Sequence, residues 1–329
     1  MAGTRILLVD NGSYEPAATL ALRGLAQEVG KLIGHPVHPV STMHSTKIDP
    51  ALLGGVPAVI FEDAVRLAKL DGIDELVVLP LFIGPSRAIT EYLPKVFADA
   101  QPGKMKLRIR EPLFGDAGAE LTSMLIDNLK STGWTKGSGT VLLCDHGSPI
   151  LEVTVCRNSL ATQLRNQLSL EDGELIGCSM ERREGPEYAF NEPLLQNALG
   201  LTKLKGDTVI LMLFLLPGRH AGSDGDVATI AKEHAPADIQ SWKISPLLGT
   251  HPLLPQVLAA RFADKRLELS AKQETILIVL LALFLPITLG YILPTNIGQS
   301  SSGRTLVSIS SGIILWAIAF FYSRSKRRK

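Results

Sequence analysis

Short apolar runs alternate with amphipathic stretches over roughly the first 260 residues of the chain. Apolar segments that predict strands stand at 6–9, 35–40, 75–83 and 106–109. Helices are predicted at 16–32 and 117–130, and a further helix is predicted within 50–70. Strands that alternate with helices are typical of a parallel sheet with helices on both faces. The pattern therefore predicts an α/β fold.

The pattern starts again after a segment rich in Gly, Ser and Thr at 131–138, which is predicted to be a linker. Strands are predicted at 140–144, 174–180, 209–216 and 239–244, and helices at 153–168, from Glu192 onward and at 252–262. Four landmarks recur in order, pairing 9–13 with 144–148, 42–44 with 179–181, 82–87 with 214–219, and 112–115 with 246–249. We interpret this as an internal duplication, in which halves 1–130 and 139–264 form a shared cleft.

The C-terminal region changes character. Segments 275–294 and 305–322 contain the almost wholly apolar runs 275–293 and 306–322. As helices, these runs of about 17–19 residues reach roughly 26–29 Å, close to the ~30 Å hydrocarbon core of a bilayer. The tail 323–329 is strongly basic, and basic residues also precede the first segment. The positive-inside rule predicts a membrane anchor with the main domain and the tail on the cytoplasmic side. A buried helical hairpin in a soluble fold is the alternative.

Composition narrows the possible functions of the main body. A net charge of +1, with no basic stretch interleaved with aromatic residues before residue 270, argues against nucleic-acid binding. Three cysteines without CxxC spacing argue against a disulfide framework and favour a reducing compartment. The N-terminus lacks the long apolar core of a signal peptide. We expect the main body to lie in the cytosol.

Three polar side chains follow predicted strands of the second half: His146, Glu181 and His220. The carboxyl ends of parallel strands open onto one edge of a sheet, so these residues are expected to converge. Two imidazoles and a carboxylate suit a divalent first-row metal, and three ligands leave coordination positions open. They are also competent general bases. Taken singly, each histidine could be an ordinary loop residue, and Glu181 could belong to a charge cluster with Arg182 and Arg183.

The first half carries different residues at the matching places, namely Asn11, His44 and Ala88. The second half is therefore predicted to be active, and the first half is predicted to help form the cleft. Either His44 lines the pocket from the opposite side or it is an ordinary loop residue, and the pattern slightly favours the loop residue. The contrast between Ala88 and His220 is internal evidence that His220 serves chemistry.

The second half resembles the sirohydrochlorin cobaltochelatase/ferrochelatase family of class II tetrapyrrole chelatases. The resemblance rests on Asp-His-Gly-Ser at 145–148, Ser-Met-Glu at 179–181, the turn 214–220 with Asp224, and Pro-Leu-Leu-Gly at 246–249 followed by His-Pro. The resemblance covers roughly residues 4–263 as two copies, and the match to the family's motifs is specific in the second copy and partial in the first. It implies two chelatase-like α/β halves.

The resemblance also implies an activity, the insertion of Co2+, Fe2+ or Ni2+ into sirohydrochlorin or a related tetrapyrrole, as in siroheme or cobalamin biosynthesis. Neither ATP nor an organic cofactor is implied. His146 and His220 match the family's metal-handling histidines, and Glu181 matches its acidic partner. Arg219 is a candidate for binding acidic substituents of the ring, although Arg87 at the matching place of the first half favours a structural role equally.

The chain departs from the family pattern at several places. Met212 replaces a proline, Ala221 and Gly222 follow His220 in place of a β-branched residue, and the apolar C-terminal segments are additional. The leading hypothesis is a membrane-tethered chelatase. The alternative is a non-catalytic, membrane-tethered carrier of a tetrapyrrole or a metal.

Overall fold

The computed structural model describes residues 3–115, 118–201, 207–222, 224–235 and 241–263. All of them belong to one unit, Met1–Asp264. The predicted membrane segments and the basic tail lie beyond it, outside the described residues. Within the described ranges, no helix is long and apolar enough to cross a membrane.

The described strands form two parallel sheets, one in each half. The first contains β1 (Thr4–Asp10), β2 (Val37–Ser41), β3 (Glu75–Pro80) and β4 (Lys106–Ile109) in the order β2-β1-β3-β4. The second contains β5 (Val141–Asp145), β6 (Leu175–Ser179), β7 (Thr208–Met212) and β8 (Trp242–Ile244) in the order β6-β5-β7-β8. The equal strand order is what an internal duplication would produce.

Helices flank both sheets, which confirms the predicted α/β class. The first half contains α1 (Pro16–Ile33), α2 (Phe61–Leu70), α3 (Leu93–Asp99) and α4 (Ala119–Ser131). The second half contains α5 (Leu151–Leu168), α6 (Leu195–Gly200), α7 (Asp226–His234) and α8 (Leu254–Ala263). The helix predicted from Glu192 begins only at Leu195, after a short helical turn at Pro186–Asn191.

Two predicted strands are shorter than their apolar runs. The runs 75–83 and 209–216 predict long strands, but β3 ends at Pro80 and β7 ends at Met212. Both runs continue past the last residue of the central neighbouring strand, Asp10 or Asp145. Their remaining apolar residues line a cavity between the halves instead of extending the sheet. Apolar character alone does not separate these two uses.

Strand register corrects one of the four predicted landmark pairs. Asp10 lies beside Ser41, and the equivalent Asp145 lies beside Ser179. Ser41 therefore corresponds to Ser179, and the residue equivalent to Glu181 is Met43. The prediction that His44 occupies this place is wrong by one residue, because the sequence comparison aligned two methionines whereas register is fixed by the hydrogen-bonded ladder.

A second landmark pair is shifted in the same way. The Leu113 amide donates to the carbonyl of Phe82 at 2.9 Å, and the Leu248 amide donates to the carbonyl of Phe214 at 2.9 Å. Leu113 thus corresponds to Leu248, one residue beyond the predicted match. Phe82 is paired with Phe214, as predicted, because the preceding amides of Leu81 and Leu213 donate to the equivalent carbonyls of Val9 and Cys144. In the following turns the Ile89 amide donates to the Ser86 carbonyl and the Ala221 amide donates to the Gly218 carbonyl, at the same spacing, so Ala88 stands at the place of His220.

One hydrophobic core joins the two halves. Its members come from helices of both halves and include Leu22, Leu25, Leu125, Leu129, Leu160, Leu164, Val257 and Leu258. Polar contacts cross the same boundary: Arg261 Nη2 donates to the carbonyl of Leu113 at 3.0 Å, and Asn128 Nδ2 donates to the carbonyl of Pro246 at 3.1 Å. The halves are therefore expected to unfold together.

Replacing Leu125 of α4 with alanine tests this shared core. Leu125 is fully buried, so Leu125→Ala is expected to lower the free energy of unfolding by about 2–5 kcal/mol. Calorimetry should show one transition at a lower temperature. Leu20→Ala, at a site 46% exposed on α1, is the control and should change stability by less than about 0.5 kcal/mol. Two separate transitions would contradict a common core.

Candidate functional site

A cavity of about 530 Å³ lies between the two halves. Segments 10–15 and 81–84 of the first half line it, together with 145–147 and 213–220 of the second half. The parts that follow β3 and β7 supply mainly Leu, Ile, Phe and Pro side chains. Apolar walls with a few convergent polar groups are the usual form of a small-molecule site.

The structure brings the three predicted site residues together around His146. Its Nε2 atom lies 3.6 Å from Glu181 Oε1, and its ring centroid lies 4.7 Å from that of His220. The side chains are 48%, 60% and 33% exposed for His146, Glu181 and His220, so ligands can reach them. Among the described residues, the two histidines line the cavity and Glu181 does not.

The side chains as placed do not enclose an ion. In the described part of the chain, no three His, Cys, Asp or Glu side chains lie close enough together to hold a metal. The three side chains meet in two pairs, His146 with Glu181 and His146 with His220.

The Nδ1 atoms of both cavity histidines meet oxygen acceptors. His220 Nδ1 lies 2.6 Å from Asp226 Oδ2, and His146 Nδ1 lies 3.2 Å from the carbonyl oxygen of Gly147. These acceptors favour the tautomer with the proton on Nδ1, which leaves a lone pair on Nε2. Metal-binding histidines are commonly oriented in this way. Asp226 is the first residue of α7, and the sequence analysis did not single it out.

A buried guanidinium holds the loops that carry His146 and Glu181. Arg157 on α5 is only 1% exposed, and its Nη1 donates to Ser179 Oγ and to the carbonyl of Asn191. The same Nη1 lies 3.6 Å from Asp145 Oδ1, which also accepts a hydrogen bond from Ser179 Oγ at 2.6 Å. The ends of β5 and β6 are thus tied to one charged group.

Asn191 fixes the loop after His146. Its Oδ1 accepts from the Ser148 amide at 3.0 Å and from Thr154 Oγ1 at 3.1 Å, and its Nδ2 donates to the carbonyl of Ser148 at 2.8 Å. Sequence reasoning missed both Asn191 and Arg157. The sequence held one signal for Arg157. This charged residue lies three residues from Thr154 and three from Leu160, so it falls on the buried face of α5.

The first half has an aspartate, Asp10, at the place of Asp145, but it has no cation at the place of Arg157. Helices α1 and α5 both have 18 residues, and Leu22 holds the place in α1 that Arg157 holds in α5. Burial raises the pKa of Asp10 to about 6, against the lowering effect of its hydrogen bonds with Ser41 and Gly12. Among the described residues, Asp10 Oδ1 has no hydrogen-bond partner.

Asp145 is also buried, and the pKa of its carboxyl is raised as well. Desolvation is the largest cause, and the charge of Arg157, which has no counterpart at Asp10, is the largest influence in the opposite direction. The neighbouring thiol of Cys144 has its pKa raised by the Cys178 side chain and by burial, and all three cysteines are free.

The second half also matches a known protein family in sequence. Residues 140–265 match the CbiX family model. This CbiX-like segment contains His146, Glu181 and His220, as well as Arg157 and Asn191. A comparison with curated proteins gave no match for the chain.

Solved chelatase structures share the fold of the chain. SirB from Bacillus subtilis with Fe3+ is 16% identical with a TM-score of 0.57, covering 79% of this chain and 94% of SirB. CbiX, described as the terminal enzyme for biosynthesis of siroheme in denitrifying bacteria, is 18% identical with a TM-score of 0.55, covering 79% and 99%. SirB of Bacillus subtilis subspecies spizizenii in complex with cobalt is 16% identical with a TM-score of 0.56, covering 79% of this chain and 94% of that protein. The chain therefore has the α/β fold of these chelatases.

Asp10 makes stability depend on pH. Its pKa of about 6 in the folded state lies above its ordinary value of 3.8, so the folded protein holds the proton more tightly. Stability is accordingly lost as pH rises from about 4 through about 6, by up to about 3 kcal/mol. Asp10→Asn should recover much of this at pH 8 and little at pH 4, measured by urea unfolding. Equal effects at the two pH values would contradict this account.

Asp145→Asn is the matched substitution in the second half. It leaves the buried Arg157 without its counter-charge, so we expect the free energy of unfolding at pH 8 to fall by about 3–5 kcal/mol. The same urea titration measures it. If Asp10→Asn and Asp145→Asn both stabilise the protein at pH 8, then Arg157 does not make the two aspartates different.

Proposed function

We propose that the protein is a metal chelatase that inserts Co2+ or Fe2+ into sirohydrochlorin or a related tetrapyrrole. The observation that carries the proposal is the pair of histidines at one apolar cavity, His146 and His220, each with Nδ1 at an oxygen acceptor. The CbiX match of residues 140–265 supports it. The likeness to SirB structures with Fe3+ and with cobalt adds further support.

The donor set suits the transfer of an ion. Metallation requires the arrival of a divalent ion and the loss of two pyrrole N–H protons. Two imidazole nitrogens and a carboxylate are donors that Co2+ and Fe2+ accept, and three such donors leave coordination positions open, so four ring nitrogens can replace them stepwise. The released side chains then accept protons as general bases. The proposed reaction uses neither ATP nor an organic cofactor.

The cavity walls suit the macrocycle. The apolar segments 81–83 and 213–217 cover a flat conjugated ring and gain free energy as its surface leaves water. Arg219 lies at the cavity with a side chain that is 79% exposed, where it can bind an acidic substituent. Its Nε also lies 3.6 Å from Asp226 Oδ2, so it helps to hold the loop that carries His220.

Removal of both histidines tests the assignment. The variant with His146→Ala and His220→Ala is expected to lose at least about 100-fold in the rate of Co2+ insertion into sirohydrochlorin, followed by the change in absorption. His234→Ala, at an exposed site on α7, is the control and should retain full activity. Turnover that persists in the double variant would contradict the site. If wild type instead binds one equivalent of sirohydrochlorin or Co2+ without turnover, that result would favour the carrier.

We also propose that segments 275–294 and 305–322 anchor the protein in a membrane, with the main domain and the tail 323–329 on the cytoplasmic side. The support is the sequence pattern of apolar segments and basic flanks. A protease added to sealed cells should leave the main domain intact, whereas the same protease should degrade it after lysis. Loss of the main domain from sealed cells would contradict the orientation.

A further inference from the structure

The first half supplies a third histidine to the cavity. His44 lines the same cavity as His146 and His220, so the sequence preference for an ordinary loop residue is wrong. Strand register places Met43 at the position equivalent to Glu181. His44 is therefore not a remnant of a duplicated metal ligand but a separate feature of the first-half wall.

The backbone at His44 is strained. Its φ of 72° and ψ of −43°, with the Ser45 amide donating to the Met43 carbonyl at 2.9 Å, define a γ-turn with positive φ at its central residue. This turn is rare, and residues with a Cβ adopt it at a cost that glycine avoids. Strain of this kind in a residue that lines a cavity is a pointer to function.

The ring of His44 is held in a defined orientation. Its Nδ1 lies 3.0 Å from Tyr14 Oη, and the two ring centroids are 5.0 Å apart. Lys47 Nζ in turn lies 5.5 Å from the centre of the Tyr14 ring. Within the described residues, Nε2 of His44 has no hydrogen-bond partner. When Nδ1–H donates to the phenol oxygen, Nε2 carries the lone pair and can accept a proton.

We propose that His44 is the proton acceptor of the first-half wall and takes one of the two pyrrole protons during metallation; this rests on the proposed function. The pyrrole N–H bond breaks, its electron pair stays on the ring nitrogen and binds the metal, and the proton moves to His44 Nε2. The resulting imidazolium releases the proton to water. The second proton goes to the metal-holding side chains of the other half.

A separate base has a chemical reason. A histidine nitrogen that binds a metal uses its lone pair for the bond and cannot accept a proton at the same time. His146 and His220 become bases only after they release the ion. Among the contacts of the described residues, the His44 ring meets Tyr14 and neither of these histidines, so it is able to accept a proton while they still hold Co2+ or Fe2+.

His44→Gln is the main test, since glutamine keeps a polar side chain but does not accept a proton. We expect kcat for Co2+ insertion into sirohydrochlorin to fall at least about 100-fold, while KM and the affinity for Co2+ alone change by less than about twofold. Tyr14→Phe keeps the ring contact and removes the hydrogen bond, and should lower kcat by about tenfold.

Chemical rescue separates a base from a structural part. His44→Gly relieves the strained turn, so its unfolding temperature should not fall, and added imidazole should restore part of its rate. The same imidazole added to wild type corrects for Co2+ bound by imidazole. Wild-type kcat in His44→Gln, or no rescue of His44→Gly, would overturn the role of His44 alone. Absence of metallation by wild type would overturn the proposed function and this inference together.

Discussion

The site depends on the hydrogen bonds and the ion pair that the buried Arg157 guanidinium makes. It is 1% exposed, and it binds Ser179, the backbone of Asn191 and the Asp145 carboxylate at the ends of two neighbouring strands. A buried cation is stable only when it is paired and hydrogen-bonded, so the strand ends cannot separate without exposing an uncompensated charge. His146 directly follows one of those ends and Glu181 follows the other by two residues, so this network stabilises the strand ends that carry them. The Glu181 amide also donates to the His146 carbonyl at 3.2 Å, which keeps the two residues adjacent.

The first half shows what happens without that cation. Leu22 fills the place of Arg157, and the buried Asp10 keeps one oxygen without a partner among the described residues. The sheet forms equally well, so the cation is not needed for the fold. The predicted difference between an active and an inactive half thus extends from the histidine positions to the packing beneath them.

Much of the fold could be read from the sequence because each strand and helix has its own apolar period. The ends of β3 and β7 could not, since apolar residues line the cavity with the same composition that builds a sheet. The convergence of His146, Glu181 and His220 followed from the rule that parallel strands end at one edge. Asp226 and Asn191 escaped prediction because their contacts arise from loop geometry that no local period encodes.

The cavity has two unlike walls that belong to one polypeptide. In a site built by two identical chains, any substitution would appear on both walls at once, and a base could not be added on one side alone. Here His44 stands on one wall and His146 and His220 on the other, so natural variation can adjust each wall without altering its counterpart. Under the proposed function, the two faces of a bound macrocycle would meet chemically different walls, which would give the ring a preferred orientation.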